Sequence, residues 1–272
     1  MFIDVHCHLD SRFYDAEEVE KVIERARKKN VKIIIASGIG INENREVIEL
    51  AKKYKEIKGA LGVHPTEILR NIDEEIGFIR AHADKIIAIG EVGLDFLESK
   101  VDCDKQKKVF QKFIELAVEL DLPLIVHSRK AEKECIEMLE DFKAKKIVMH
   151  CFSGGFKLID RIAANGWNFS VPASVKYNEH FQNLVKRVDI SQLLCETDAP
   201  FLHPSRDGKN EPSFVVESYK KIAEIKELSL KKVEIEIEEN FRRLFIRENS
   251  LKEVEIEIEK NFKKLFDGKK IS

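Results

Sequence analysis

The sequence predicts a (β/α)8 barrel, or TIM barrel, and three observations support this fold class. Short apolar runs alternate eight times with charged, amphipathic stretches, a pattern typical of βα units in a parallel sheet. The eight units fill about 230 of the 272 residues, close to the ~250 residues usual for this barrel. No Pro-, Gly- or Ser-rich linker interrupts the alternation, so we expect these units to form one domain.

The predicted strands are short and apolar, as in parallel strands that are covered on both faces. The second is a continuous apolar run from Ile33 to Ala36, and the fourth runs on from Glu91 to Asp95. In chain order the predicted strands cover residues 2–8, 31–36, 57–64, 86–91, 123–127, 146–150, 167–171 and 193–196.

The stretches between the strands show helical periodicity. In the first of them, apolar residues recur at spacings of three and four, at Ala16, Val19, Val22, Ile23 and Ala26. The predicted helices cover residues 15–30, 42–55, 73–83, 104–120, 131–142, 156–165, 179–188 and 213–227.

Composition excludes some classes of protein. The net charge of −2 provides no bulk basic field for nucleic acid, so any phosphate contact must come from a local patch or a bound metal. Five cysteines, an odd number without a CxxC motif, favour a reduced cytoplasmic compartment. The first strand begins at Phe2, which leaves no room for a signal peptide, and no apolar run approaches the ~20 residues of a membrane span.

The first strand carries the clearest chemical signal. His6 and His8 alternate with Val5 and Cys7, so both imidazoles project from one face of the strand. Two neutral imidazoles on one face suit a transition metal. On this motif alone, two ordinary surface histidines are the favoured interpretation.

Later strand ends add further metal-capable side chains. A barrel brings the carboxyl ends of its strands to one mouth, where active sites lie. Taken singly, a histidine can be a hydrogen-bonded strand end and an aspartate a helix cap. Taken together they predict a metal site, and the residues concerned are His64, Glu91, His127, His150 and Asp198.

The number of donors predicts two ions. Four imidazoles and two carboxylates exceed what one tetrahedral ion needs, whereas two divalent ions that share a carboxylate use all six. The imidazole-rich set favours Zn, Mn, Co or Ni over Mg.

The motifs at these strand ends resemble the TatD family of the amidohydrolase superfamily. They occupy residues 2–10, 62–65, 90–95, 125–129, 150–154 and 196–202, and the resemblance extends over residues 1–245. The resemblance implies a metal-dependent hydrolase. The best-known members of the family are DNA exonucleases, which are usually described as Mg-dependent.

The resemblance also implies roles for individual residues. His6, His8 and Asp198 would bind one ion. His127 and His150 would bind the other, with Glu91 as the bridge. Asp198 would also accept a proton, so that Glu91 and Asp198 are the predicted catalytic residues. The residues implied to line the substrate or to lie behind the ligands are His64, Asp95, Arg129 and Ser153.

Three functions follow from this site. The first is a two-metal phosphodiesterase, a 3′–5′ exonuclease with DNA as its nucleic-acid partner. The second is an ester or amide hydrolase, such as a D-aminoacyl-tRNA deacylase, because the same metal chemistry serves acyl transfer. The third is a non-catalytic metal-binding barrel, which requires a missing ligand or base, and none is missing.

The chain ends in a duplicated segment. Residues 230–245 recur at 251–266, which predicts a barrel domain over 1–245 and an extra repeat over 246–272. Residues 233–238 alternate like a strand, but Val233, Ile237, Phe241, Leu244 and Phe245 form a helical stripe. We therefore expect a helix docked on the barrel. The second copy is expected beside the first or against a partner chain, in a monomer or weak homo-oligomer.

Overall fold

The computed structural model describes residues 1–67 and 71–246 and confirms the (β/α)8 barrel. Within these residues, eight parallel strands pair in chain order from β1 to β8. Their bounds are β1 Phe2–Cys7, β2 Val31–Ser37, β3 Ile57–Leu61, β4 Ile86–Asp95, β5 Leu124–Arg129, β6 Ile147–His150, β7 Asn168–Pro172 and β8 Leu193–Glu196.

Helices follow the strands and surround the barrel. Several begin with a side-chain cap, for example at Asp15, which accepts a hydrogen bond from the Glu18 amide at the start of α1. Their bounds are α1 Ala16–Lys28, α2 Ile41–Lys53, α3 Ile72–Ala81, α4 Cys103–Leu120, α5 Glu132–Asp141, α6 Phe156–Ala164, α7 Glu179–Arg187, α8 Val215–Lys226 and α9 Leu230–Phe245.

The ends of β1 and β8 are joined just beyond β8. The Asp198 amide donates to the His6 carbonyl at 3.0 Å, and the His8 amide donates to the Ala199 carbonyl at 2.7 Å. The buried Asp4 carboxylate accepts from the amide and the hydroxyl of Thr197 at 3.0 and 2.5 Å. These bonds hold the β8 end beside the two histidines of β1.

The third strand ends earlier than predicted. β3 ends at Leu61, so His64 lies in the following loop. The reason is the buried Asn44 side chain, which donates to the Gly62 carbonyl at 2.9 Å and accepts from the Gly62 amide at 3.2 Å. The Asn44 side chain thereby occupies the amide and the carbonyl of Gly62, which would form sheet hydrogen bonds if β3 were longer.

The first copy of the duplicated segment is helical, as predicted. It forms α9, and its whole predicted stripe is buried: Val233, Ile237, Phe241, Leu244 and Phe245. Almost all of the predicted extra repeat, residues 247–272, lies outside the described residues. Among the helices that are described, none is both long and apolar enough to cross a bilayer.

Candidate metal centre

The carboxyl ends of the strands surround a cavity of about 710 Å³. His6 lies fully buried beneath it, in contact with the residues of its wall. The other predicted ligands line the cavity, namely His8, Glu91, His127, His150 and Asp198. The four residues expected near the substrate also line it, namely His64, Asp95, Arg129 and Ser153.

Ser37, at the end of β2, orients both histidines of β1. Its hydroxyl lies 3.0 Å from Nδ1 of His6, and its carbonyl oxygen lies 3.2 Å from Nδ1 of His8. Since a carbonyl only accepts, His8 donates through Nδ1 and keeps the lone pair on Nε2. Both Nε2 atoms therefore face the centre of the site.

Carboxylates orient the histidines of β5 and β6 in the same way. Nε2 of His127 lies 3.0 Å from Asp95 Oδ2, and Nδ1 of His150 lies 2.8 Å from Glu196 Oε2. Metal-binding histidines usually donate their second ring nitrogen to such a partner, which fixes the tautomer and the ring orientation. The ring nitrogens that remain face Glu91.

Glu91 lies at the centre, and its two oxygens face different donors. Oε2 lies 3.5 Å from His6 Nε2 and 3.4 Å from His8 Nε2. Oε1 lies 2.9 Å from His127 Nδ1, 3.6 Å from His64 Nε2 and 3.7 Å from His150 Nε2. Glu91 thus stands between two groups of imidazoles.

Asp198 completes the first of these groups. Its Oδ1 lies 3.5 Å from His6 Nε2 and 3.7 Å from His8 Nε2. The backbone of Asp198 has a φ of 55°, a left-handed conformation that aspartate tolerates better than most residues. Its side chain is 14% exposed against 4% for Glu91, so Asp198 is the more accessible carboxylate.

The donor set fits divalent cations. Ligand atoms bound about 2.1 Å from one ion lie roughly 3 to 3.5 Å from each other, and the separations around His6 and His8 are close to this. They are too long for good hydrogen bonds. Nε2 of His6 is also buried and, among the described residues, without a hydrogen-bond partner, an arrangement that a bound cation would satisfy.

The charges of the site also favour cations. Burial raises the pKa of Glu91, but the imidazoles of His64 and His6 outweigh burial and hold this pKa well below its usual range. Burial lowers the pKa of His64 to about 3, against the opposing effect of Glu91. Burial opposes the charged form of His150 too, but Glu196 and Asp198 raise its pKa to about 10. A cation bound here would therefore displace a proton from His150.

A close backbone approach places His127 beside Glu91. Gly93 in β4 has a φ of 144°, and a Cβ at this position would lie 2.0 Å from the carbonyl oxygen of His127 in β5. Only glycine accommodates both the conformation and the contact. Gly93 thus allows β4 and β5 to approach closely at the point where the side chains of Glu91 and His127 meet.

Comparison with known families agrees with this geometry. The family described as TatD related DNase matches residues 3–247 of the chain. The chain belongs to the TatD family. The resemblance inferred from the motifs is therefore confirmed.

Relatives of known sequence and structure cover nearly the same span. YabD of Bacillus subtilis, an uncharacterized metal-dependent hydrolase, is 35% identical over 254 residues, which are 90% of this chain and 99% of YabD. The human deoxyribonuclease TATDN3 is 32% identical over 258 residues, 89% of this chain and 94% of TATDN3. The crystal structure of YJJV, a TatD homolog from Escherichia coli, matches with a TM-score of 0.82 at 25% identity over 90% of this chain and 97% of YJJV. This TatD protein is thus a metal-dependent hydrolase.

Two of the residues expected near the substrate lie directly against the donors. His64 forms a group of potential metal donors with Glu91 and His127. Asp95 is buried and accepts from His127 and from the amides of Leu97 and Glu98. In this TatD site both residues belong to the shell around the donors.

The other two lie at the rim of the cavity. Arg129 is half-exposed and forms an ion pair with Glu98. Ser153 is exposed, and its hydroxyl lies 3.4 Å from Glu132 Oε1. Both side chains are placed where an incoming ligand can reach them.

Sequence reasoning included Asp95 but missed three other residues that position the donors. They are Asp4, Ser37 and Glu196. A signal was present for Asp4, because strand alternation places it on the same face as His6 and His8. A signal was also present for Glu196, a buried acid that ends β8 two residues before Asp198.

Proposed function

We propose that this TatD protein is a deoxyribonuclease that hydrolyses phosphodiester bonds from the 3′ end of DNA, with two divalent ions at the mouth of the barrel. The observation that carries the proposal is the position of Glu91, whose two oxygens face separate groups of donors. DNA as the substrate is supported by the family and by the named activity of the human relative.

The residues divide into two sets. His6, His8 and Asp198 would hold one ion, and His127 and His150 would hold the second, with Glu91 shared between them. His64 supplements the second set, since its Nε2 faces the same oxygen of Glu91. Zn, Mn, Mg, Co and Ni are all candidates. Bound divalent ions polarise phosphoryl oxygens and lower the pKa of water enough to supply a nucleophile near neutral pH.

Asp198 is the proposed proton acceptor. Both carboxylates line the cavity, but the side chain of Asp198 is 14% exposed and that of Glu91, which lies between imidazoles, is 4% exposed. Burial raises the pKa of Asp198, but the imidazoles of His6 and His150 outweigh burial, and the net pKa lies below the usual value. The carboxylate is therefore ionised at neutral pH and able to take a proton.

Arg129 is the proposed phosphate contact. Its guanidinium lies at the cavity rim in an ion pair with Glu98, both side chains being half-exposed or more. Such a pair in water is weak, so a phosphate can replace Glu98 at low cost. The planar guanidinium matches phosphate geometry well.

A direct assay tests the function. Full-length protein loaded with each candidate metal is incubated with single-stranded DNA labelled at the 5′ or the 3′ end, and in parallel with D-aminoacyl-tRNA. We expect the 3′ label to be released first and the 5′-labelled strand to shorten progressively. Hydrolysis of the aminoacyl ester with intact DNA would instead establish the deacylase. Cuts inside the strand would overturn the assignment as an exonuclease.

Metal content provides an independent prediction. We expect two ions per chain after reconstitution, and at most one ion in Glu91→Gln, because the amide cannot replace a carboxylate shared by both donor sets. Elemental analysis of desalted protein measures the ratio, and anomalous diffraction locates the ions.

The matched control is Glu56→Gln. Glu56 is a buried carboxylate ahead of β3 that pairs with Arg27, and it belongs to none of the donor groups. It should retain both ions. A wild-type protein with one ion that touches His6 and His8 but not Glu91 would contradict the shared carboxylate.

A further inference from the structure

An exposed aromatic side chain stands at the mouth of the site. Phe201 follows Asp198 by three residues, lines the cavity and is 49% exposed. The centroid of its ring lies 6.3 Å from that of His8. Phe201 therefore borders the donor cluster directly, where an apolar surface in water has no evident role in stability.

The backbone of Phe201 is fixed. Its amide donates to the Asp198 carbonyl at 2.8 Å, and its carbonyl accepts from Nδ2 of Asn210 at 2.7 Å. Nδ2 of Asn210, which is fully buried, also donates to the Thr197 carbonyl at 2.7 Å. An aromatic ring on a backbone held in this way loses little conformational entropy when a ligand binds.

Two neighbouring rings contact Phe201 without lying parallel to it. Phe13 meets it at 5.3 Å with an angle of 82° between the ring planes, and His8 meets it at 67°. Both are edge-to-face contacts, so in the part of the chain that the structure describes no aromatic ring stacks flat on Phe201. The Arg12 guanidinium lies 5.1 Å from the centroid of Phe13 and is ion-paired with Asp10 and Glu43.

We propose that Phe201 stacks on a nucleobase of the nucleotide next to the scissile phosphate, with Phe13 holding its ring from the side. The inference rests on the phosphodiesterase function proposed above. An exposed aromatic ring is the usual platform for a base of single-stranded nucleic acid, and stacking accepts every base. A protein partner seated on Phe201 would cover the mouth, whereas a nucleotide on it places its phosphate toward the donors. The substrate class is therefore single-stranded DNA without strong sequence preference.

Kinetics with matched substrates test the contact. Phe201→Ala should raise KM for single-stranded DNA about tenfold or more, and Phe201→Trp should retain normal KM. On an oligonucleotide whose 3′-terminal nucleotides are abasic, wild type and Phe201→Ala should be equal. A loss in Phe201→Ala that is the same on normal and abasic strands would overturn base stacking. The control Ile235→Ala removes an exposed apolar side chain from α9 and should leave KM unchanged for both substrates.

A binding measurement separates this inference from the proposed function. DNA with a terminal 2-aminopurine is added to full-length Asp198→Asn protein with and without Phe201→Ala. We expect quenching of the base fluorescence that depends on Phe201. If quenching depends on Phe201 but wild-type protein cleaves no DNA in the parallel assay, the stacking site stands and the nuclease is overturned. If wild-type protein cleaves DNA but quenching does not depend on Phe201, the stacking site alone is overturned.

Discussion

Asp198→Asn is expected to lower kcat on DNA about 10²- to 10⁴-fold while the protein stays folded. The amide preserves the shape of the side chain but cannot accept a proton, and it is a weaker ligand. Asparagine also tolerates the left-handed backbone at this position, so the substitution adds no conformational strain. Steady-state kinetics at saturating metal and a thermal melt measure the two effects.

The comparison that isolates the chemistry is Asp189→Asn. Asp189 lies ahead of β8, where its side chain accepts hydrogen bonds from the amide and the hydroxyl of Ser191. It is not one of the proposed donors, so its substitution should leave kcat unchanged. Elemental analysis of Asp198→Asn shows whether the ions remain bound. Near-normal turnover of that variant at full metal occupancy would mean that another group takes the proton.

The sequence predicted the barrel and most of the donor positions because both depend on local signals. Period-two and helical patterns mark the elements, and the topology of a barrel then gathers strand ends that are far apart in the chain. His6 and Asp198 are 192 positions apart, yet each follows from its own strand. The assignment of these residues to particular ions remains a prediction.

The partners of the donors were harder to predict because they are tertiary contacts without a local pattern. Ser37 orients His6 and His8 from the next strand, and Glu196 of β8 reaches His150 of β6 past the intervening β7. The early end of β3 has the same cause, since Asn44 on α2 replaces the ladder bonds of Gly62. Each of these contacts depends on which residue of a neighbouring element faces the donor or the strand end, and the periodicity of the sequence does not specify that residue.

The duplicated segment shows how two periodicities compete. Alternation would bury Val233, Ile235 and Ile237 together, whereas a helix separates Ile235 from the other two. Ile235 is 40% exposed while Val233 and Ile237 are fully buried. The residues that follow, from Asn240 to Phe245, decide between the patterns because they fit only the helical stripe.

Phe241→Ala is expected to destabilise the protein by about 3–5 kcal/mol, a large part of the 5–15 kcal/mol typical of a domain. Phe241 is almost fully buried and stacks on Phe245 with ring centroids 5.0 Å apart. The adjacent Asn240 donates to the carbonyls of Ile190 and Leu193 at 2.7 and 2.8 Å, which fixes α9 against the start of β8. The surrounding side chains cannot collapse into the space that the ring leaves. Denaturant unfolding followed by circular dichroism measures the loss.

Three companion variants show whether this first copy alone supports the barrel. Ile235→Ala on the same helix should change stability by no more than about 0.5 kcal/mol, since its side chain is exposed. Deletion of residues 251–272 should preserve the melting temperature, the metal content and hydrolysis, because none of the predicted donors is among them. Deletion of 230–272 should remove the docked helix and unfold the barrel. If the shorter deletion destabilises the protein as much as Phe241→Ala does, the second copy contributes to the fold, and docking by α9 alone is wrong.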